Sequence, residues 1–319
     1  MKMDKFGCGV NVTLQTGLLL PSSVRIMHPK RHNLSESLAL PKSAPIPKHP
    51  SEDLIRQASE VPRSPLIPRH PSQDLIDEAE QLTNSRIVGG GEATIRDNPW
   101  QVSLRSNNNH ICGGVILNAT VILTAAHCLG SSTHTSYSVR YGSGSRLSGG
   151  GISAATGMKL NANYGEGLGA FPNDIAILMV EDMTLSSNAA AISLNSRSNN
   201  ALADLDTSSC RITGWGRTSG TSSLPTILQG TNVDVLTDSN CGSDWGNNLN
   251  GPVHICVSGD NSGACNGDSG GPLVCENNAG VMELVGVTSW GASGCSVSYP
   301  SVYTEVSYFH DFINTNASS

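Results

Sequence analysis

The string CNGDSGGPLVC at 265–275 holds the residue best suited to nucleophilic chemistry in this sequence. A serine hydroxyl is a weak nucleophile, so it needs a base and a group that stabilises the oxyanion formed during acyl transfer. The glycines around Ser269 permit a tight turn, which we expect to aim the amide hydrogens of Gly267 and Ser269 at one point. Serines between glycines are mostly ordinary turns, so the hypothesis depends on partners elsewhere in the chain.

A base and a carboxylate that would orient it are present upstream. His127 lies at the end of the apolar run VILTAAHC, and Asp174 directly precedes the run IAILMV. A buried carboxylate that accepts the imidazole Nδ1 hydrogen fixes the histidine tautomer and stabilises the imidazolium formed when serine gives up its proton. Taken singly, a buried histidine is usually structural and an aspartate before a strand is usually a turn cap. Together with Ser269 they predict a catalytic triad.

The strings TAAHC at 124–128, NDIAIL at 173–178 and GDSGGP at 267–272 resemble, in this order, the motifs of the chymotrypsin-like serine proteases. The resemblance covers residues 87–319 through further strings, which are RIVGG at 86–90, PWQVSL at 99–104, CGGVIL at 112–117, GWG at 214–216 and TSWG at 288–291. It implies two six-stranded antiparallel β-barrels with the triad at their junction. It also implies a serine endopeptidase that acts on proteins or peptides and needs no cofactor and no metal.

The elements that must position these residues are predicted to be short strands. From residue 87 onward, apolar runs alternate with clusters of Gly, Asn and Ser, which is typical of strands and turns. The one helix with a clear apolar side is expected near the C-terminus, at 307–313, where Tyr308, Phe309 and Phe312 would supply that side. A formal charge of −7 gives no support for nucleic-acid binding.

Residues 1–86 lie outside the resemblance and are predicted to be a largely disordered leader and pro-segment. A weak repeat runs through it, since PIPKHPSEDLI at 45–55 returns as LIPRHPSQDLI at 66–76. Docking of this segment onto the folded domain is the alternative. The stretch 6–20 is too short and polar to span a membrane and makes a poor signal peptide, so the expectation of secretion depends on the cysteines.

Eight of the nine cysteines lie between 112 and 295, and none forms a CxxC pair. This pattern favours disulfides over zinc, and therefore an oxidising, extracellular compartment. The family resemblance implies four bridges, which are Cys112 with Cys128, Cys210 with Cys275, Cys241 with Cys256, and Cys265 with Cys295. Cys8 has no predicted partner.

Arg86 followed by Ile87, Val88 and two glycines predicts an activation site. Cleavage after Arg86 would create a new α-amino group at Ile87, and the resemblance implies that this ammonium pairs with Asp268 and arranges the oxyanion hole. The chain is therefore expected to be an inactive precursor, a monomer, with a trypsin-like protease as its activator. Protein inhibitors of the active site are further expected partners.

The resemblance places Gly263 at the base of the primary specificity pocket, Ser289, Trp290 and Gly291 along its wall and mouth, and Ser301 at its back. Trypsins carry an aspartate at the base. Without that acid, a Lys or Arg side chain of the substrate would be desolvated with no compensating charge, so cleavage after large apolar residues is expected. The string GACNGDSGGP also resembles the brachyurin-type arthropod proteases, which have glycine in place of the basal acid.

Two other function classes compete with this interpretation. Residues 267–271 also fit the G-x-S-x-G pattern of α/β-hydrolases, but that fold needs its acid and histidine after the serine and a helix that Gly271 and Pro272 would not readily open. The stronger alternative is a catalytically inactive binding or regulatory protein on the protease fold. No triad residue is missing, which favours the enzyme.

Overall fold

The computed structural model describes residues 87–130, 133–197, 210–258 and 261–317. The predicted pro-segment, including Arg86 and Cys8, lies outside the described residues. Two α-helices are described, α1 (Asp238–Trp245) and α2 (His310–Ala317). The strands are β1 (Gly91–Glu92), β2 (Gln101–Ser106), β3 (Asn109–Asn118), β4 (Val121–Thr124), β5 (Tyr137–Tyr141), β6 (Gly151–Leu160), β7 (Ala176–Val180), β8 (Ser193–Leu194), β9 (Cys210–Gly214), β10 (Gln229–Asn232), β11 (Asp234–Leu236), β12 (His254–Ser258), β13 (Pro272–Glu276), β14 (Met282–Trp290) and β15 (Ser301–Glu305).

The first half of the domain is a closed antiparallel barrel of six strands in the order β2-β3-β4-β7-β6-β5. It closes where β5 pairs with β2, so that Leu104 lies opposite Val139. The apolar run that contains β4 is buried at all four of its strand residues. Because β4 also pairs with β7, the segments that follow β4 and precede β7 are brought to the same end of the barrel.

The second half is a sheet whose main path runs β1-β10-β9-β13-β14-β15-β12-β11. Its strands β10 and β11 are consecutive in the chain, with Val233 alone between them, yet β10 pairs with β9 and β11 pairs with β12. One bent stretch therefore contributes near both ends of this nine-stranded sheet, in which β8 pairs with β14 off the main path. Within the described residues, the first half closes as a six-stranded barrel and the second half is a half-barrel. The predicted all-β class, with a short C-terminal helix, is confirmed.

The two helices differ in how well the sequence predicts them. The C-terminal helix follows a turn of 3₁₀ helix over 306–309 and buries Phe309 and Ile313, whereas Tyr308 is 57% exposed and does not belong to the apolar side. The helix α1 was not expected, and it buries only Cys241 and Trp245. Among the described residues, no helix is both long enough and apolar enough to cross a membrane.

Four disulfides connect these elements in the pairs that the resemblance implied. They are Cys112–Cys128, Cys210–Cys275, Cys241–Cys256 and Cys265–Cys295. The first joins β3 to the turn that carries His127, and the last joins the segment before Ser269 to the loop that follows β14. Disulfides therefore restrain the segment that carries His127 and the segment that carries Ser269.

Candidate active site

His127 and Asp174 form a fully connected pair at the end of the first barrel. Asp174 is buried just before β7, and its carboxylate accepts hydrogen bonds from Nδ1 of His127 at 2.7 Å and from the backbone amide of His127 at 3.0 Å. Two bonds from one residue fix both the ring and the backbone of the histidine. Nε2 of His127 therefore faces away from Asp174, as a general base in a triad requires.

Two hydroxyl groups from the second barrel complete the surroundings of Asp174. Ser289 Oγ donates to the Asp174 carboxylate at 2.6 Å, and Thr304 Oγ1 donates to its backbone carbonyl at 2.7 Å. Ser289 was predicted to bind substrate, and the structure shows that its side chain contacts Asp174. Thr304 was missed, because a threonine within a strand carries no motif.

The turn that carries Ser269 packs against strands β3 and β4 of the first barrel. The carbonyl of Ser269 accepts a hydrogen bond from the amide of Gly113 at 2.8 Å. A Cβ added at Gly270 would lie 2.2 Å from Thr124 Oγ1, so only glycine fits there. Ser269 Oγ is buried and makes no hydrogen bond within the described residues. A hydrogen bond between this hydroxyl and His127 therefore belongs to the proposed mechanism, and catalytic hydrogen bonds of this kind often tighten only with substrate present.

The backbone around Asp268 leaves two donors without acceptors. Gly267 has a left-handed φ of 104°, and among the described residues neither its amide nor that of Ser269 donates a hydrogen bond. The intervening amide of Asp268 donates to Cys265 O at 3.0 Å. Two unpaired N–H groups on either side of one residue are what an oxyanion hole needs.

A buried histidine that the sequence analysis did not consider supports this turn. Nε2 of His110 donates to the carbonyl of Gly267 at 3.1 Å, and Nδ1 accepts from Ser103 Oγ at 2.7 Å. A carbonyl can only accept, so this arrangement requires the proton on Nε2. Burial lowers the pKa of His110 to about 3, and the ring therefore stays neutral at physiological pH.

Asp268 is buried beneath the same turn, and its carboxylate accepts backbone amides from Gly216 at 2.7 Å and Cys265 at 2.9 Å. A Cβ at Gly214 or Gly216 would lie 2.0 to 2.3 Å from this carboxylate, which explains the GWG string. Burial raises the pKa of Asp268 to about 7, against the lowering effect of the two amides. Among the described residues, no side-chain cation forms an ion pair with it.

The IVGG segment lies beside the residues that bind Asp268. Ile87 is 1% exposed and packs in the core of the second barrel, and Val88 pairs with Gly263. Gly89 has a left-handed φ of 76°, and a Cβ there would lie 2.4 Å from the carbonyl oxygen of Asn261. This segment is therefore seated against 261–265, whose Cys265 amide contacts Asp268.

The predicted specificity pocket has an uncharged base. A Cβ built at Gly263 would meet Ser301 Oγ at 3.1 Å and Val297 Cγ1 at 3.8 Å, and within the described part of the chain no carboxylate lies as close. Ser301 Oγ accepts the amide of Ala264 at 3.1 Å. At Gly291 nothing lies within 4 Å of an added Cβ, so that position is open.

Trp290, which was predicted to line the wall of this pocket, packs among other rings. Trp290 is buried, with its ring edge-on to Trp245 at 4.8 Å and to His254 at 5.6 Å between centroids. Nδ1 of His254 accepts the backbone amide of Asn250 at 3.1 Å. Burial lowers the pKa of His254 to about 4, so this ring also stays neutral.

One group of potential metal ligands occurs in the described residues, formed by Cys112, His127 and Cys128. The two sulfur atoms are joined in a disulfide and cannot act as thiolates. His127 directs Nδ1 to Asp174. The donor set therefore does not fit a metal ion.

Several known proteins are similar to this chain. The family model described as Trypsin matches residues 87–313. Trypsin alpha of Drosophila melanogaster is 38% identical over 242 residues, which are 74% of this chain and 89% of that protein. Trypsin delta of the same fly is 40% identical over 240 residues, 73% of this chain and 89% of that protein. Fibrinolytic enzyme, isozyme C, of Lumbricus rubellus is 36% identical over 252 residues, 72% of this chain and 100% of that protein.

Proposed function

Because the chain belongs to the trypsin family of serine endopeptidases, we propose that it is a secreted zymogen whose cleaved form hydrolyses peptide bonds after large apolar residues. The observation that carries the catalytic part is the buried Asp174 carboxylate, which holds His127 by two hydrogen bonds. A buried charge with this many donors has a specific use in stabilising an imidazolium. Protein substrates follow from the family.

The proposed mechanism assigns one role to each group. Ser269 Oγ attacks the substrate carbonyl carbon while its proton passes to Nε2 of His127, and Asp174 stabilises the imidazolium. The oxyanion is bound by the amides of Gly267 and Ser269. His127 then gives the proton to the leaving amine, and water hydrolyses the acyl-enzyme, which restores Ser269.

The preference for apolar residues is supported by the base of the pocket. The groups within 4 Å of a side-chain position at Gly263 are a hydroxyl and a methyl, from Ser301 and Val297. A substrate guanidinium or ammonium there would lose its hydration and gain no counter-charge, whereas Phe, Tyr, Leu and Met carry no charge that must be desolvated. The family resemblance leads us to expect an aspartate at this position in a trypsin, and this chain has Gly263 there.

Activation by cleavage is supported by the surroundings of Asp268, in which no cation is described. Its carboxylate is buried with two amide donors and a pKa raised to about 7 by burial. Cleavage after Arg86 would release an ammonium at Ile87, in the segment seated beside 263–265. That charge would stabilise the ionised carboxylate and the turn carrying Gly267. Since the pocket avoids arginine, the activator is a separate trypsin-like protease.

The remaining parts of the proposal concern where and with what the protein works. The four disulfides support an oxidising, extracellular compartment. We expect a monomer, with protein inhibitors of serine proteases as partners.

The test is cleavage of a mixed peptide library by the full chain after treatment with immobilised trypsin, which is then removed. An equally treated Ser269→Ala protein measures any residual activator. Cuts after Phe, Tyr, Leu or Met that vanish in the Ser269→Ala protein support the proposal. Cuts after Arg or Lys that vanish in the same control refute the specificity.

A second readout separates enzyme from inactive binding protein. A fluorophosphonate probe should label Ser269 only after cleavage at Arg86, with a new N-terminus that reads IVGG. Absence of labelling in correctly cleaved protein would favour the binding-protein alternative. Replacement of Arg86 by Gln should leave the trypsin-treated chain unlabelled, and full activity in that variant would overturn the activation scheme.

A further inference from the structure

Leu168 is the most exposed large apolar side chain in the described part of the protein, at 80% of its full accessible surface. It lies in the loop between β6 and β7, a few residues before Asp174. Gly165, Gly167 and Gly169 surround it, and all three have left-handed φ values, of 81°, 116° and 87°. A leucine is usually buried, and this one contributes to no apolar core.

The backbone at Leu168 is weakly held. Among the described residues, the amides of 167–169 donate no hydrogen bond, and the Leu168 carbonyl accepts a single bond from Asn250 Nδ2, at 3.3 Å. The segment is tied again only at Ala170, whose amide donates to Asn248 O at 2.7 Å. Few hydrogen bonds and high exposure give a segment that opens at low cost, which is what a protease cleft requires of its substrate.

Another exposed leucine provides a contrast. Leu147 is 58% exposed, but its amide and that of Ser148 both donate to Ser145 Oγ. The adjacent Arg146 binds backbone carbonyls at 224–225 through its guanidinium. This loop is therefore held in place on both sides of Leu147.

Two partly buried apolar residues in loops are each followed by a buried proline, namely Phe171 by Pro172 and Leu224 by Pro225. Proline removes the backbone N–H and fixes φ, so it hinders an extended chain from binding on the leaving-group side of the cleaved bond. Leu168 is followed by Gly169 and has no such protection.

We propose that the bond between Leu168 and Gly169 is a self-cleavage site, cut by a second copy of the active enzyme, and that this cut ends activity. The inference rests on the proposed preference for large apolar residues. Ser269 Oγ of one copy attacks the Leu168 carbonyl carbon of the other, and its proton reaches the Gly169 amine through His127. Water then hydrolyses the acyl-enzyme, which leaves a carboxylate on Leu168 and restores the serine.

The arrangement of the disulfides gives this cut its consequence. Cys112–Cys128 lies wholly before residue 168, and the other three bridges lie wholly after residue 169. Among the described cysteines, no disulfide therefore joins the two products. His127 remains on the first product, whereas Asp174 and Ser269 remain on the second. The pair that holds the general base is then kept together by non-covalent contacts alone.

The loop after the cut is also strained. Phe171 and Asn173 both have left-handed backbones, with φ of 48° and 60°, and Asn173 Nδ2 binds the carbonyls of Asn163 and Glu166 on the other side of the cut. Left-handed residues other than glycine persist only where surrounding contacts hold them. Cleavage at 168 loosens one side of those contacts, next to Asp174.

The experiment uses an inactive, tagged Ser269→Ala copy as the substrate for active enzyme, with both chains first cleaved at Arg86. We expect the tagged copy to yield two products on a non-reducing gel, with a new N-terminus that reads GAFPN. Ser269→Ala combined with Leu168→Asn should stay whole, whereas Ser269→Ala combined with Leu147→Asn should be cut as before.

A second measurement follows active enzyme alone. The half-life of wild-type activity should be inversely proportional to the enzyme concentration, because the cut needs two copies. Leu168→Asn should have the same initial kcat/KM on short peptides and a half-life longer by about tenfold or more, since a polar amide in an apolar pocket costs at least about 1.4 kcal/mol. Equal half-lives, or a first cut elsewhere, would overturn the inference. The peptide library separates this failure from a failure of the proposed specificity. Cleavage of library peptides after leucine with no cut at Leu168 overturns the self-cleavage site alone, whereas no library cleavage after leucine overturns both proposals.

Discussion

Asp174 and Asp268 are two buried aspartates near the junction of the barrels, and their surroundings differ. Asp174 receives donors from His127 and Ser289 side chains, so its charge is matched within the described structure. Asp268 receives only backbone amides, and burial raises its pKa to about 7. Folding alone therefore joins His127 to its carboxylate, and we call this pair the assembled side of the site. The turn of Gly267, Asp268 and Ser269 is the waiting side, for which we propose that a later cleavage supplies the matching charge at Ile87.

The largest expected effect breaks the assembled side. Asp174→Asn should lower kcat of the cleaved enzyme by roughly 10⁴-fold, the size known for this change in the serine protease triad, because the wrong tautomer of His127 is stabilised. Steady-state kinetics on a good library peptide measures it. Binding of a protein inhibitor should persist in the variant, since the cleft is unchanged. A loss below about tenfold would contradict the assigned role of Asp174.

The second expected effect concerns the waiting side. Asp268→Asn should lower kcat of the cleaved enzyme by about 10² to 10³, the size associated with losing an oxyanion-hole donor. The matched variant Asp97→Asn changes an exposed aspartate in the same domain and should leave kcat unchanged. Equal kcat in Asp268→Asn and wild type would show that the oxyanion hole forms without the ion pair.

The same variant, Asp268→Asn, should lose activity after cleavage but gain stability before cleavage. Asp268 has a folded pKa raised from 3.8 to about 7, so its favourable contribution is complete below about pH 4 and is lost as pH rises through 7. In the uncleaved chain, Asp268→Asn should therefore raise the free energy of unfolding at pH 8, by up to about 4 kcal/mol, and change it little at pH 4. Urea unfolding at the two pH values measures this. A variant less stable than wild type at pH 8 would contradict the account.

How far the sequence predicts these two regions depends on the kind of signal. Ser269, His127 and Asp174 sit in strings long enough to be recognised, and so do the disulfide pairs. Ser289 Oγ on Asp174 and His110 Nε2 on the Gly267 carbonyl were not predicted, because each contact joins residues more than a hundred positions apart. Such contacts arise from the packing of the barrels, which no local pattern encodes.

The same limit applies to the fold. The alternation of apolar runs and turns predicts strands correctly, and the family motifs predict two barrels. Helix α1 was missed because its sequence DSNCGSDW buries only Cys241 and Trp245, four residues apart, and shows no apolar stripe. The break at Val233, which lets one stretch serve both ends of the second sheet, follows from its amide bonding to Cys210 O and leaves no trace in composition.

Two histidines near the site also differ in their partners. His127 is paired with a carboxylate, whereas His110 is paired with Ser103 and the Gly267 carbonyl. Burial lowers the pKa of His110 from 6.5 to about 3, so its contribution to stability is present above pH 6.5 and is lost as pH falls towards 3. His110→Gln keeps a donor for Gly267 and cannot titrate.

The loss of stability between pH 6.5 and pH 4 should therefore be smaller in His110→Gln than in wild type, by on the order of 3 kcal/mol. Urea unfolding of the Ser269→Ala background, which prevents self-digestion, is the measurement. The same pH slope in both proteins would show that His110 does not resist protonation in the fold.

The smallest effect sharpens the account of the assembled side by removing one donor at a time. Ser289→Ala takes away a 2.6 Å hydrogen bond to the Asp174 carboxylate. A bond to a charged group contributes about 1.5 to 3 kcal/mol, so kcat/KM should fall by about 10- to 150-fold, and we expect the low end because His127 still binds the carboxylate twice. Thr304→Val removes only a bond to the Asp174 backbone carbonyl and should cost less. The Asp174 carboxylate that Ser289 binds matters most when His127 is protonated, which occurs in the transition state. Removal of the Ser289 hydroxyl should therefore lower kcat and leave KM nearly unchanged. A change in KM alone would return Ser289 to the substrate-binding role that its position in the sequence first suggested.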